Sequence, residues 1–328
     1  MRPATTDFLF SLLLAALCFA IPSSSTRAEN YPSHPIRIIV PAPSGGGSDT
    51  SARKLGEKLT LSLKQPIIIE NRPGAAGNIA AELVAKAKPD GYTLLYGHNG
   101  ILCINPWVYP SLPYDATKDL VPVTQVGRIH AIVVVNSSVP VRSLVELIAL
   151  ARAKPGQLTY GSAGSGSPQH VTGELFKVLT GVNMLHVPYK GSAPVMLALL
   201  SKEIDVGFEY PVVVTLQVQA GQIRALAIAA PQRLASLPDV PTAAEAGLQD
   251  FESEAWGGYF APAGTPREII SLLHREIARI ALSPEYLEFA KKNGIEVTAI
   301  GPDEFADLIK VQRVKWGKVV KDSGARLE

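Results

Sequence analysis

Two glycine-rich stretches have residue types and spacing suited to holding an anion. They are VPAPSGGGSDTSARKLGEKL, Val40 to Leu59, and YGSAGSGSPQHVTGELFKVL, Tyr160 to Leu179. Each joins a short apolar run to a helical pattern. The first N–H groups of a helix have no internal partner, and the helix dipole adds partial positive charge there, so each turn is a candidate anion site. Glycine lets the backbone approach a ligand closely and take positive φ. The first candidate set is Ser44, Gly45, Gly46, Gly47, Ser48 and Asp49, with Ser44, Ser48 and Asp49 able to cap the helix. The second is Ser162, Ala163, Gly164, Ser165 and Ser167, in which Ser167 reads as N-cap and Pro168 as the first helical residue. A shorter stretch, PYKGSAPV, puts Tyr189, Gly191 and Ser192 in the same setting. Any one such turn is an ordinary strand-to-helix connection. Two dense in Gly and Ser, on separate units, suit a small molecule with two carboxylates. A branched side chain at Gly46 is expected to fill the anion's place.

Competing chemistries fit less well. The phosphate loop G-x-x-x-x-G-K-[ST] fails because SGGGSDTSARK has no Gly-Lys pair, and G-x-G-x-x-G fails at Thr50. A hydrolase elbow, G-x-S-x-G, would need glycine where Tyr160 stands, and His170 follows on the same helix instead of arriving from another strand. A secreted serine hydrolase acting on esters is the alternative from another class. The histidines His34, His98, His130, His170, His186 and His274 form no i,i+4 pair, so no metal and no cofactor is expected. Asp205 and Glu209, on IDVGFEY, could face a cleft and accept an ammonium or hydroxyl group, although solvated strand-end acids are equally common.

These turns need elements to position them, and the chain supplies an alternation. IRIIVPA precedes a helical stretch in which Ala52, Leu55 and Leu59 share one face; QPIIIENRP, NIAAELVAKA and YTLLYG follow, with Asn99 just beyond the last. This is βαβαβ, which implies a parallel sheet covered by helices. A second unit starts near Ile129 and runs to IRALAIAAP; two amphipathic helices near 267–282 and 303–322 then lack strands of their own and are expected to return to the first sheet. The expected fold is α/β, two lobes each with a mainly parallel central sheet, divided as 29–128 with 253–328 and 129–252.

Composition is that of a globular protein, 47% hydrophobic with net charge +2 over 328 residues, and its basic residues are scattered; nucleic acid is not an expected partner. Arg2 precedes the apolar run Phe8 to Ala20, and Thr26 and Ala28 suit a signal peptidase site, so residues 1–28 read as a secretory signal peptide. Cleavage there leaves Cys103 as the mature chain's one cysteine, which excludes an intrachain disulfide.

The whole mature chain resembles the Bug receptors, extracytoplasmic solute-binding proteins of tripartite tricarboxylate transporters. The resemblance is carried by YPSHPIRIIVPAPSGGGSD, ENRPGAAGNIAAE, KPDGYTLL, YGSAGSGSPQH, HVPYKGSAP, LPDVPTAAEAG and APAGTP, in that order. It implies a type II periplasmic-binding-protein architecture, a monomer in the periplasm, a small organic acid closed between the lobes, and delivery to membrane permease subunits. A sensory receptor for the same ligands is the variant within this class. The family holds a carboxylate with backbone N–H groups of the first turn, here Ser44 to Asp49, and with the second-lobe turn, here Ser162 to Ser167; His170, Tyr189 and Asp205 match pocket positions. Family members carry a bulky aromatic after the strand-ending proline, and this chain has Ala42. That loss implies a larger pocket floor and a longer or aromatic dicarboxylate. Ala76 and Ala80 also stand where glycine is common.

Overall fold

A computed structural model describes residues 31–325. The expected signal peptide lies outside these residues. Strand β1 (Ile36–Val40) is buried along nearly its whole length, as its unbroken apolar run requires of a strand covered on both faces. A glycine-rich turn leads to α1 (Gly47–Leu63), which buries Ala52, Leu55 and Leu59 on one face. Then come β2 (Ile67–Asn71), α2 (Asn78–Ala85), β3 (Thr93–His98), a π-turn (Gly100–Ile104), short α3 (Asn105–Val108) and long β4 (Leu120–His130). After Ala131 the chain enters β5 (Ile132–Asn136), α4 (Leu144–Ala153), β6 (Thr159–Ser162), α5 (Pro168–Thr180), β7 (Leu185–Pro188), α6 (Ser192–Ser201), β8 (Val206–Glu209), α7 (Pro211–Gln219) and β9 (Ile223–Ile228). It returns through β10 (Glu254–Pro262), α8 (Arg267–Ala281), α9 (Pro284–Lys292), β11 (Glu296–Val297) and α10 (Pro302–Ser323).

The strands form two sheets, ordered β11-β4-β10-β3-β1-β2 and β7-β6-β8-β5-β9. The α/β architecture with two sheets flanked by helices is as expected, but the sheets are mixed, not mainly parallel. Among the described strands, pairing is parallel only within β2-β1-β3 and β7-β6-β8; β10 runs antiparallel to β3 and β4, and β5 antiparallel to β8 and β9. The crossing accounts for β4 and β10: the chain leaves the first sheet through one and comes back through the other, so the two neighbours run in opposite senses. The returning segment is also not strandless. EAWGGYFAP is the central strand β10, and a two-residue strand, β11, separates α9 from α10. Gly257 and Gly258 are small because a Cβ there would meet the Tyr96 hydroxyl or the Phe305 ring and Thr124 carbonyl at 2.7 Å.

The two crossings lie side by side and are stitched by backbone bonds. Ala131 N–H donates to Ser253 O (3.0 Å), Ser253 N–H to Ala229 O (3.0 Å), and Ala229 N–H to Ala131 O (2.8 Å). One apolar cluster continues from Ile39 and Leu95 in the first sheet to Phe208 in the second and Phe176 of α5 beside it, and it includes Trp316 and Val320 of α10. Helix α10 packs on β4, the π-turn and α3, and also on α5.

Candidate functional site

Both glycine-rich turns follow the strand at which their sheet's order reverses. Strand β1 connects onward to β2 on one side while β3 lies on the other; β6 stands in the same relation to β7 and β8. A crevice forms at the carboxyl end of such a strand, because the chain leaves to opposite sides.

The first turn is held from behind and open in front. Gly46 N–H donates to Pro43 O (3.1 Å), and Gly46 is the N-cap of α1 with no side-chain cap bond. The expected capping by Ser44, Ser48 and Asp49 is therefore corrected. Asp49 is buried and its carboxylate faces backwards: it accepts from Gly45 N–H (2.9 Å), Arg53 Nε (3.0 Å) and Asn71 Nδ2 (2.8 Å). Burial alone would raise its pKa, but those three bonds outweigh it and hold the carboxyl below its usual range. Asn71 Nδ2 also donates to Ala42 O (2.9 Å), so one amide ties the turn at both ends. Asp49 thus shapes the turn and does not line it. Among the described residues, the amides of Gly47, Ser48 and Asp49 have no acceptor, while Thr50 N–H is the first to bond within the chain, to Gly46 O. A Cβ built on Gly45 or Gly47 would meet nothing within 4 Å. One on Gly46 would point back at Pro43 O (3.2 Å) and Ala42 (3.5 Å), so a branched residue there would strain the turn itself instead of filling the space in front.

The second turn is satisfied from within. Ser167 caps α5 by accepting from His170 N–H (3.3 Å), and Pro168 is the first helical residue. His170 Nδ1 accepts from Gly166 N–H (3.1 Å), which fixes its neutral tautomer with the proton on Nε2. Its ring stacks on His186 at 4.0 Å between centroids, and His186 Nε2 lies 2.6 Å from Ser162 Oγ. Burial lowers the His170 pKa to about 4 and the His186 pKa to about 3, so both rings are neutral at neutral pH. The Ser162–His186 pair resembles a nucleophile and base, but Ser162 has no exposed surface and its Oγ also donates to Gly164 O (3.1 Å). Ser165 Oγ and the amides of Ser165 and Gln169 remain without partners among the described residues.

The other candidates divide. Tyr189 is half-buried beside the turn; its N–H donates to Ser162 O (2.9 Å), and its ring would lie 3.6 Å from a Cβ on Gly161. Ala42 sits at the start of the first turn, half-buried against the apolar cluster of α1 and α8. Asn99 is fully buried and donates to Glu254 O (2.9 Å), locking β3 to the crossing segment. Asp205 is misplaced by the sequence reading. It precedes β8, at the amino end of the strand, and accepts from Thr159 N–H (2.8 Å) and Oγ1 (3.0 Å), so it anchors the edge opposite the turns. Asn71, His186 and Gln169 were missed, since their partners lie 22, 24 and 23 residues away, at Asp49, Ser162 and Ser192.

The carboxyl edges of the two sheets meet around the second turn. A Cβ on Gly100, just past β3, would lie 3.8 Å from Pro168, and one on Gly166 would lie 3.2 Å from Asn105 Oδ1. The loop between β2 and α2 joins this seam to the first turn: Asn105 Nδ2 donates to Ala76 O (3.1 Å), and a Cβ on Gly77 would press on Ile101 (2.7 Å) and Pro41 (3.1 Å). Ala75 and Ala76 there take φ of 46° and 51°, a left-handed conformation that costs a residue with a Cβ. Surface hollows of about 680 and 540 Å³ lie elsewhere, beside Arg142–Val145 with Asp239–Pro241, and between α1 and α8–α9. Unpaired donors, not hollow size, make the first turn the candidate anion site, because an unbonded amide beside a closed wall would go unsatisfied.

Residues 51–325 match the family model described as the tripartite tricarboxylate transporter family receptor. The protein BugT of Bordetella pertussis is 36% identical over 321 residues, covering 98% of each chain. The solved structure of R. palustris Rpa4515 with adipate superposes with a TM-score of 0.84 at 36% identity, covering 90% of this chain and 98% of that one. MatC (Rpa3494) from Rhodopseudomonas palustris with bound malate gives 0.81 at 32% identity, covering 88% and 100%.

Proposed function

The chain belongs to the tripartite tricarboxylate transporter receptor family, and from that membership we propose that it is a periplasmic receptor that captures a small dicarboxylate between its lobes. It acts as a monomer and performs no chemistry on the ligand. Residues 1–28 direct its export, residues 29–128 with 253–328 form one lobe, and 129–252 form the other. The closed form delivers the ligand to the permease subunits of a tripartite tricarboxylate transporter.

The observation that carries this reading is the row of three unpaired amides at Gly47, Ser48 and Asp49, in front of which a Cβ on Gly47 meets nothing. A carboxylate placed there receives charge-assisted bonds and the favourable end of the α1 dipole without an arginine. The Arg53 guanidinium of α1 is engaged by Asp49 and Asn71. The second carboxylate goes to the hydroxyl and amide of Ser165 and to the Gln169 amide of α5. Bound adipate and malate in two relatives support a dicarboxylate, and Ala42 in place of a bulky ring favours a longer or aromatic one. Closure follows because only a ligand touching both turns binds the closed state better than the open one.

Thermal unfolding of the purified mature chain with adipate, malate and aromatic dicarboxylates tests this. A ligand at about 100 times its Kd should add about 2.7 kcal/mol of stability. No shift with any carboxylate at millimolar concentration would sink the reading. Labelling of Ser162 or Ser165 by a fluorophosphonate would replace it with a hydrolase.

A further inference from the structure

Beneath the second turn lies an acid that neither the fold nor the first turn accounts for. Glu209 ends β8, opposite Ile132 of β5, and has no exposed surface. Its Oε1 has no hydrogen-bond partner among the described residues. Its Oε2 is approached by Gln169 Nε2 at 3.5 Å, and the same amide donates to Ser192 Oγ at 2.8 Å. Gln169 is the second residue of α5 and Ser192 the first of α6, so one buried carboxyl sits below two helix starts that border the site.

We propose that Glu209 is a positioning residue of the second-lobe anion site, joining the leading residues of α5 and α6 from beneath, and that its proton, in place of a cationic partner, lets an anionic ligand rest above it. This rests on the receptor reading given above and adds what the second lobe demands of its ligand.

Three facts support the protonated form. Among the described residues no lysine, arginine or histidine acts on the carboxyl: burial is the largest influence, opposed only by the neighbouring polar groups of Gln169, Ser192 and the Tyr210 amide. The pKa is accordingly raised to about 8. The one ionisable group alongside, the Tyr210 hydroxyl at the start of α7, is itself buried without a partner and holds its proton still more firmly. At the same level β5 presents Ile132, and the last paired residues of β6 and β8 are Gly161 and Gly207; none of these carries charge. An ionised Glu209 would be a buried charge without a counter-ion, and a ligand carboxylate above it would add like-charge repulsion. Ligand binding and ionisation of Glu209 therefore oppose each other, and by linkage the bound anion holds the proton in place.

The experiment uses the mature chain, Glu209→Gln, and adipate as the probe, both of whose carboxylates are ionised throughout the range. From about pH 7 to about pH 9.5, Kd of the unsubstituted protein by calorimetry should rise about tenfold or more, whereas the same ratio for Glu209→Gln should stay within about twofold. Equal ratios would overturn the inference. A second arm needs no ligand. A carboxyl with a raised folded pKa contributes stability at low pH and loses it as pH climbs from about 4.3 towards the folded value. The melting temperature of the unsubstituted protein should therefore fall relative to Glu209→Gln between about pH 5 and about pH 8. Parallel curves would also overturn it, whether or not adipate binds. Diverging curves with no binding of adipate or malate at neutral pH would overturn the receptor reading and the ligand half of this inference, leaving only the buried proton.

Discussion

The two glycine-rich turns occupy the same place in their lobes, β1 between β2 and β3 and β6 between β7 and β8, yet they commit their polar groups differently. At the first, the cap is a bare glycine, the one acid faces backwards, and three amides are left free. At the second, serine caps the helix, proline already occupies the first helical position, and a histidine pair supports the loop. Equal topology with unequal bonding teaches that a turn can be tuned either to receive a charge or to hold a shape. Under the proposed function the first is the grip and the second a stiff wall that brings Ser165 to the ligand.

The sharpest way to break this contrast is to give the first helix the proline that the second already has. Gly47→Pro removes one free donor at a position where proline fits the helix, and Gly46, at φ −71° and ψ 163°, already has the extended conformation that a residue before proline needs. Losing a bond to a charged group should weaken adipate binding by about 10- to 100-fold, with a melting temperature changed by no more than about 2 °C. Unaltered affinity would end the view of the first turn as the grip.

Acid should separate the turns next. His170 and His186 have pKa values lowered to about 4 and about 3, so the unfolded chain binds protons that the native pair refuses. Their contribution is whole above about pH 6.5 and is lost as pH falls towards the folded values. Asp49, with a depressed pKa, supports the first turn until pH drops below its ordinary carboxylate range. Amide resonances should thus shift at Gly166 before Gly45 during acidification, and His186→Gln should delay the change at Gly166. Simultaneous shifts would erase the distinction.

The smallest effect belongs to Ser167→Ala. Removing this cap should cost about 1 kcal/mol of stability, read from chemical denaturation, while Kd for adipate moves less than about threefold. A large loss of affinity with unchanged stability would make Ser167 a ligand contact instead.

Much of the fold was legible because alternating apolar runs and helical patterns report βα units directly. Both turns could be found for the same reason: glycine and serine between a strand and a helix have a local meaning. What stayed hidden depended on distant partners. IDVGFEY offers two acids, and only its register against β6 tells that Asp205 bonds Thr159 at the far edge while Glu209 ends up beneath the turns. Asp49 reads locally as a cap, and its backward orientation appears only once Asn71 arrives beside it. Strand β10 was concealed by its glycines, whose cause is the Tyr96 and Phe305 side chains pressing on it from other elements. Ala76 shows the converse: its local identity hides a left-handed backbone that glycine would adopt without penalty.

The seam on which α10 rests has a practical consequence. All three tryptophans of the chain lie along it: Trp107 of α3 against Gly317, Trp256 of β10 edge-on to Phe305 at 5.0 Å, and Trp316 buried in α10 with its Nε1 donating to Gln312 at 3.0 Å. Because α10 also packs on α5 of the other half, rotation of one half against the other should alter the surroundings of α10 and of the Trp316 indole it carries. The protein therefore carries its own optical gauge, and its ultraviolet emission should follow occupancy without any attached dye.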